Sequence, residues 1–349
     1  MGKYIIKGMG LAAMMLAVSV VSASAEEGTF YYQAAVDNDA VWIATSAGLM
    51  RCDKSTGEQN TFASQGFDDI TAVTVADGTV FAGGNGNRGV AVFTDNQFVG
   101  FDFGTNLPQN VKSLVFAEGL WAGASQMILH RLPDVGEEKF DGPDPTSSFY
   151  NFQALAWSKS DSRMWFGVQS STKGDKLGYV DGNSLKFISG SGENISGLCV
   201  LEDGTVLAAT EKGMMKYSDG KYSMFEHTVG AIPAKCSAVA CDGDVIWFAA
   251  GNVLVRGEGY SFNKYTCRSV KDNDTITSIV PDGDTVWVTL LEGGLMKFVN
   301  EEFMEPSAGM ETILPDRGRG ETYDLDGRMV KVPEKGHIYI REGKKILEQ

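Results

Sequence analysis

Val41-Trp42-Ile43-Ala44-Thr45-Ser46-Ala47-Gly48-Leu49-Met50 recurs in altered copies until nearly the end of the chain. The clearest copies are VLAATEKGMM at 206–215, IWFAAGNVLV at 246–255 and VWVTLLEGGLM at 286–296. Each reads as two short strands, rich in β-branched and aromatic residues, joined by a tight turn. With Trp42 as the anchor, equivalent positions fall at Phe81, Trp121, Trp165, Leu207, Trp247 and Trp287, at intervals of 39, 40, 44, 42, 40 and 40 residues. A unit of that length built from four short strands is a propeller blade, whereas solenoid units of similar length are mainly helical. No run of ten or more residues after the leader shows helical periodicity. The fold expected is all-β: a seven-bladed β-propeller with a small C-terminal β tail. Eight blades do not fit the spacing.

Within a unit the order is steady. Ile276 to Pro281 reads as a first strand, Asp282-Gly283-Asp284 as a turn, Thr285 to Leu290 as a second strand, Leu295 to Val299 as a third, and Glu302 to Glu305 as a weak outer strand. Asp37-Asn38-Asp39, Asp77-Gly78, Asp203-Gly204 and Asp242-Gly243 occupy the first turn elsewhere, where residues tolerant of positive φ are needed. The aromatic anchor lies on the second strand, placed to fill the wedge between neighbouring blades. Because blade 7 holds four strands of its own, ring closure is expected to rest on packing of blade 1 against blade 7, with Gly28 to Phe30 as a candidate addition to the last sheet.

The domain boundaries follow. Residues 1–25 carry Lys3 and Lys7, an apolar run from Met9 to Val21 and Ala23-Ser24-Ala25, the layout of a secretory signal peptide cleaved after Ala25. Residues 26–309 form the propeller, 310–320 a linker containing PDRGRG, and 321–349 a separate β segment. The location expected is therefore outside the cytoplasm: periplasmic, at the cell surface or secreted, with no stable membrane insertion. Acidic side chains number 45 against 30 basic ones, and loss of the two leader lysines leaves a net charge of about −17. Such a surface repels nucleic acid and anionic membranes. Cys52, Cys199, Cys236, Cys241 and Cys267 match no zinc spacing. They read as buried free thiols, the alternative being one disulfide among Cys236, Cys241 and Cys267.

The units resemble the two-component regulator propeller repeat, most closely in VWIATSAGLMRCD at 41–53 and VWVTLLEGGLMKF at 286–298. That resemblance implies a propeller like those in periplasmic sensor regions of hybrid histidine kinases from Bacteroidetes, implicated in glycan sensing. The tail, with YDLDGRMV at 323–330 and KGHIYIREGKK at 335–345, resembles the C-terminal sorting segment of exported Bacteroidetes proteins, which implies delivery by a secretion system.

Catalytic motifs are sparse. Gly84-Asn85-Gly86-Asn87-Arg88-Gly89 satisfies the dinucleotide fingerprint, but VAVFTDNQF after it reads as a strand where that chemistry needs a helix N-terminus. The Asp37/Asp39, Asp242/Asp244, Asp272/Asp274 and Asp282/Asp284 pairs lack the continuation of a twelve-residue calcium loop. No cofactor or metal is expected. His130, His227 and His337 are scattered, and no nucleophile elbow or zinc-protease helix is present.

In a propeller, the loops joining the second and third strands and those joining consecutive blades open around one end of the channel. On that face the sequence places Asn85, Asn87, Arg88, Gln126, Gln169, Lys173, Lys176, Lys212 and Glu292 from the first class, and Phe67, Phe149, Tyr150 and His227 from the second. Exposed aromatics among amides and charges suit a carbohydrate. The function expected is non-catalytic binding or scaffolding toward a glycan or protein ligand, the alternatives being an accessory to an extracytoplasmic sensor kinase or a propeller lyase.

Overall fold

The structure, a computed structural model, describes residues 28–86, 88–103, 108–132, 136–143, 149–225, 235–259, 261–267 and 274–306, together with three strands of the tail. The leader and the linker expected from sequence lie outside these residues. The chain divides into two compact units, Met1–Ala308 and Gly309–Gln349. Seven antiparallel four-stranded sheets follow one another in chain order in the first unit, and no helix occurs among the described residues. Blade 1 comprises Tyr31–Val36, Ala40–Thr45, Gly48–Asp53 and Gln59–Ala63. The later blades begin on Ile70–Ala76, Ser113–Phe116, Tyr150–Ser158, Ile195–Val200, Ala238–Asp242 and Ile276–Asp282. In the tail, Thr322–Tyr323, Ile338–Arg341 and Lys344–Leu347 form a separate antiparallel sheet.

All seven anchors are buried on second strands, and each belongs to a different apolar cluster that spans one seam between blades. Trp42 packs with Ile70 and Val73 of blade 2, and Phe81 with Val111 and Leu114 of blade 3. Trp121 meets Phe152 and Leu155, and Trp165 meets Ile195 and Leu198. Leu207 meets Val239 and Ile246, Trp247 meets Ile276 and Ile279, and Trp287 meets Tyr31, Ala34 and Val41. The 40-residue period is thus the period of seam filling: one large side chain per blade enters the gap left by sheets that splay from a common axis.

The last cluster closes the ring. Tyr31 N donates to Leu291 O at 2.8 Å, Ala34 N to Ser278 Oγ at 3.2 Å, and Thr277 Oγ1 to Tyr31 O at 2.9 Å. Lys54 Nζ adds an ion pair with Asp282 Oδ2 at 2.7 Å. Closure rests on face packing, as expected, but Gly28 to Phe30 adds no strand to blade 7. Phe30 O instead accepts from Ser46 N, and Phe30 N donates to Ser46 Oγ, which fastens this segment to blade 1's own hairpin.

The cysteine expectation needs correction. Cys199 and Cys241 form a disulfide between the first strands of blades 5 and 6, with Cα atoms 6.0 Å apart, while Cys52, Cys236 and Cys267 are free and buried. Burial pushes the Cys52 and Cys267 thiols up to about 11 and Cys236 up to about 12, so none is a ready nucleophile.

Candidate functional site

The first strands surround a channel holding a cavity of about 330 Å³, lined by all seven blades. One residue position sets the character of its wall. In blades 1, 2, 4, 5 and 7 the pairing of first and second strands shifts by one residue near the strand start. Such a bulge turns an extra side chain toward the axis. The residues at this position, taken by blade, are Tyr32, Thr71, Lys112, Gln153, Ser196, Ser237 and Thr277, and all seven line the cavity. Every one is polar, although the residue before it is a buried hydrophobic in each blade: Tyr31, Ile70, Val111, Phe152, Ile195, Cys236 and Ile276.

Four of the seven are short side chains tied into the frame. Thr71 Oγ1 donates to Val111 O, and Thr277 Oγ1 to Tyr31 O, each bridging to the next blade. Ser237 Oγ donates to Ala249 O at 3.4 Å, and Ser196 Oγ accepts from Gln169 Nε2 at 3.5 Å. Tyr32, Lys112 and Gln153 are longer and stand on blades 1, 3 and 4, facing the short hydroxyls of blades 5 to 7. The hydroxyl of Tyr32 and the amide of Gln153 have no hydrogen-bond partner among the described residues.

Lys112 is the one described cation on the wall. Its Nζ donates to Asn85 Oδ1 at 3.2 Å, and Asn85 Nδ2 in turn donates to Asp69 Oδ2 at 2.9 Å. The Asn85 side chain therefore stands between ammonium and carboxylate. Burial lowers the Lys112 pKa, with Asp69 opposing the shift. Burial, aided by Asp69, raises that of Tyr32, so its hydroxyl stays protonated and able to donate at neutral pH.

Of the residues picked from sequence, Asn85 and Gln169 reach this ring, through Lys112 and Ser196 respectively. Lys173, Lys176 and Tyr150 line a second hollow of about 360 Å³ beside blade 4. There the buried Lys176 donates to Thr172 O at 2.6 Å, and burial lowers its pKa. Arg88 donates to Phe98 O at 2.7 Å, Lys212 pairs with Glu193 at 2.9 Å, and the backbone of Glu292 donates to Asp274 Oδ1 at 3.1 Å. Asn87 and His227 lie outside the described residues. Two aromatics expected to be exposed are core residues: Phe67, 6% exposed, packs edge-on against Phe98, and Tyr150, 3% exposed, packs against Phe152. Phe149 is the exposed one, at 44%. The connections between blades dip into the seams, so an aromatic there is drawn inward.

The sequence reading missed Tyr32, Lys112 and Gln153. The bulge hides Tyr32 and Gln153, because it places successive residues such as Thr71 and Ala72 on one side and breaks the alternation by which a strand's faces are read. A usable signal existed: seven polar residues stand in register, ten to twelve positions before the anchor, or nine before Trp121.

His130, the one described histidine, is on the third strand of blade 3, directly across from Trp121. Its buried ring stacks on that indole at 3.6 Å, and Nδ1 meets Glu138 Oε2 at 3.0 Å. It serves the seam and not the channel. The glycine-rich 84–89 segment is followed by the strand Val90–Thr94, not a helix.

Ring, seams and channel together define the class of seven-bladed β-propellers. No protein-family model and no curated protein matches the chain. Solved structures similar to it include a catalytically inactive virginiamycin B lyase from Staphylococcus aureus, determined with quinupristin, at 16% identity and a TM-score of 0.62 over 80% of this chain and 98% of that one. Another is the extracellular domain of a putative hybrid two-component system from Bacteroides thetaiotaomicron, at 14% identity and a TM-score of 0.61 over 92% of this chain. The match spans about half of that chain, 47%. At these identities the likeness shows the fold alone, and the second is consistent with the resemblance of the repeats to sensor propellers. No helix long and apolar enough to cross a membrane occurs among the described residues.

Proposed function

We propose that this is an exported, non-catalytic propeller that binds a glycan or protein ligand at the loop-face mouth of its channel. The observation that carries the reading is the polar ring, in which Tyr32 and Gln153 turn unpaired polar groups into a cavity and Lys112 stands between them. A propeller serving only as a spacer has no use for long polar side chains that converge on its axis with groups left free to bond a ligand. The ionisable side chains among the described lining residues are Tyr32 and Lys112, both able to hydrogen-bond a ligand.

Export is supported by the leader at 1–25, by the likeness to an extracellular domain and by the Cys199–Cys241 disulfide, a bond that persists in oxidising compartments. Delivery to the surface by the sorting-like tail is part of the proposal. Cell fractionation of a strain making the full chain or one ending at residue 309 tests it: the full chain belongs with the surface or medium fraction and the shortened one in the periplasm. Equal distribution of the two contradicts the role of the tail.

The binding reading is tested on a glycan and peptide array probed with the full chain and with Ser237→Phe, which fills the channel. Retention of at least one ligand class by the first and its loss by the second is the expected result. Ligands bound equally by both place the site elsewhere. A sensor-accessory role is favoured only by the likeness to the hybrid two-component domain. A lyase role would require Tyr32 and Lys112 to act as the acid and base, since His130 does not reach the channel.

A further inference from the structure

Two residues before the ring position, each first strand begins at the loop-face rim of the channel. Six blades carry a polar side chain there, Asp69, Asn151 and Asn194 among them, and blade 1 carries Phe30. Alternation ahead of the bulge sets this position on the same side of the strand as the ring residue. Asp69 shows the consequence. Its Oδ2 accepts from Asn85 Nδ2 at 2.9 Å, and Asn85 Oδ1 accepts from Lys112 Nζ at 3.2 Å, so the rim of blade 2 is joined to the ring of blade 3. Phe30 is fixed by its backbone, which donates to Ser46 Oγ and accepts from Ser46 N, both at 2.9 Å, while its side chain is left 41% exposed. One exposed apolar side chain is ordinary on a protein surface. Here, however, the other large hydrophobics as exposed are Val99, Met224 and Met304 on outermost strands and Phe149 on a connection between blades, so Phe30 alone combines exposure with a place on the rim.

The polar groups beside this ring are balanced in charge and mixed in kind. The Lys112 ammonium and the Asp69 carboxylate, linked through Asn85, cancel, so the site favours neither an anion nor a cation. Asp69 Oδ1 and the Gln153 carbonyl are open acceptors, the Gln153 amide and the remaining Lys112 hydrogens are open donors, and the Tyr32 hydroxyl is both. Hydroxyl groups also donate and accept, and so match such a set. A carboxylate brings acceptors only, an ammonium donors only, and a free peptide end brings a charge that nothing here offsets. A pyranose adds an apolar face of C–H groups to its hydroxyl edge, and an aromatic ring fixed beside polar groups presents the complementary surface. The cavity below, about 330 Å³, is at the small end of ligand sites and suits one sugar residue.

We infer that the rim of the channel holds one uncharged pyranose residue, stacked on Phe30 with its hydroxyls shared among Asp69, Lys112 and Tyr32. This rests on the channel mouth being the binding site. Isothermal titration of the full chain with D-glucose, D-galactose and D-mannose, and with the uronate and the 2-amino sugar corresponding to each, tests it. At least one neutral hexose is expected to bind about tenfold or more tightly than both of its charged counterparts. Phe30→Ala and Phe30→Leu are each expected to weaken it about tenfold at an unchanged melting temperature, and Phe30→Tyr to stay within about threefold of the parent, because the ring and not mere apolar bulk is what the sugar meets. Asp69→Asn leaves Lys112 unbalanced and is expected to narrow the preference for hexose over uronate at least about threefold, a change of selectivity that a purely structural role would not produce. A charged sugar bound as tightly as its hexose, or hexose binding indifferent to both Phe30→Ala and Phe30→Leu, overturns the inference. So does a lack of hexose binding while an array ligand, peptide or glycan, is still lost in Ser237→Phe, an outcome that leaves the channel reading itself standing.

Discussion

At the scale of single residues, the repeat signature is a hydrogen-bonded device. Thr45 Oγ1 donates to Gly48 O at 2.7 Å and accepts from Gly48 N at 3.1 Å, locking the two-residue loop Ser46–Ala47 between the second and third strands. Thr210 repeats the first of these bonds to Gly213 at 2.7 Å. Both glycines hold positive φ, +140° and +121°, but only Gly48 is also crowded: a Cβ there would lie 2.1 Å from Phe62 O, whereas one on Gly213 would meet nothing within 4 Å. Gly48→Ala should therefore cost about 3 kcal/mol or more and Gly213→Ala about 1–2 kcal/mol in urea unfolding, since one suffers strain plus a backbone clash and the other strain alone. His130 offers a pH test. Burial lowers its pKa below the ordinary 6.5 despite Glu138, so the folded state binds fewer protons than the unfolded one just below that value. Stability should fall as pH drops below about 6.5 and recover above it, and His130→Gln should flatten that part of the profile in urea midpoints taken between pH 5 and 8.

At the scale of strands and blades, much was legible and some was not, for identifiable reasons. The anchors from Trp42 to Trp287 declared the seams, because a buried aromatic at constant spacing has few other uses. The disulfide was equally available and went unread: Cys199 and Cys241 are 42 residues apart, one blade period, which puts them on facing first strands. Closing a loop of that length stabilises by about 4 kcal/mol in the chain-entropy description. Cys199→Ser should lower stability by up to that amount, and thiol titration should find no rapidly reactive thiol in the native protein, three after unfolding and five after reduction. Five reactive thiols in unfolded, unreduced protein would remove the crosslink. Lys112 stayed hidden for a different reason. It precedes the strand Ser113–Phe116 in the blade whose loop, Gly123 to Met127, has lost the usual glycine. There Gln126 adopts φ +67° in its place, and the repeat is hardest to align.

At the scale of the whole propeller, seven seams of one design close on themselves without exchange of a strand, so the blade 7 to blade 1 seam bears the closure. Trp287→Ala empties that seam and should cost about 3–5 kcal/mol. Lys54→Met, which breaks a partly exposed ion pair across the same seam and the ammonium's hydrogen bond to Asp37 O within blade 1, should cost no more than about 2 kcal/mol. Equal effects of the two would mean that charge and not packing holds the ring shut. The ring in turn fixes the channel, which gathers one polar side chain from each blade onto a common axis, where we propose that a ligand binds. The most direct check is a crystal structure of the full chain with whichever ligand the array or the titrations return. Ligand density in the channel, touching Lys112 on one side and the first strands of blades 5 to 7 on the other, is the expected result; density confined to the outer loops or to the hollow beside Tyr150, with the channel holding water alone, would contradict it.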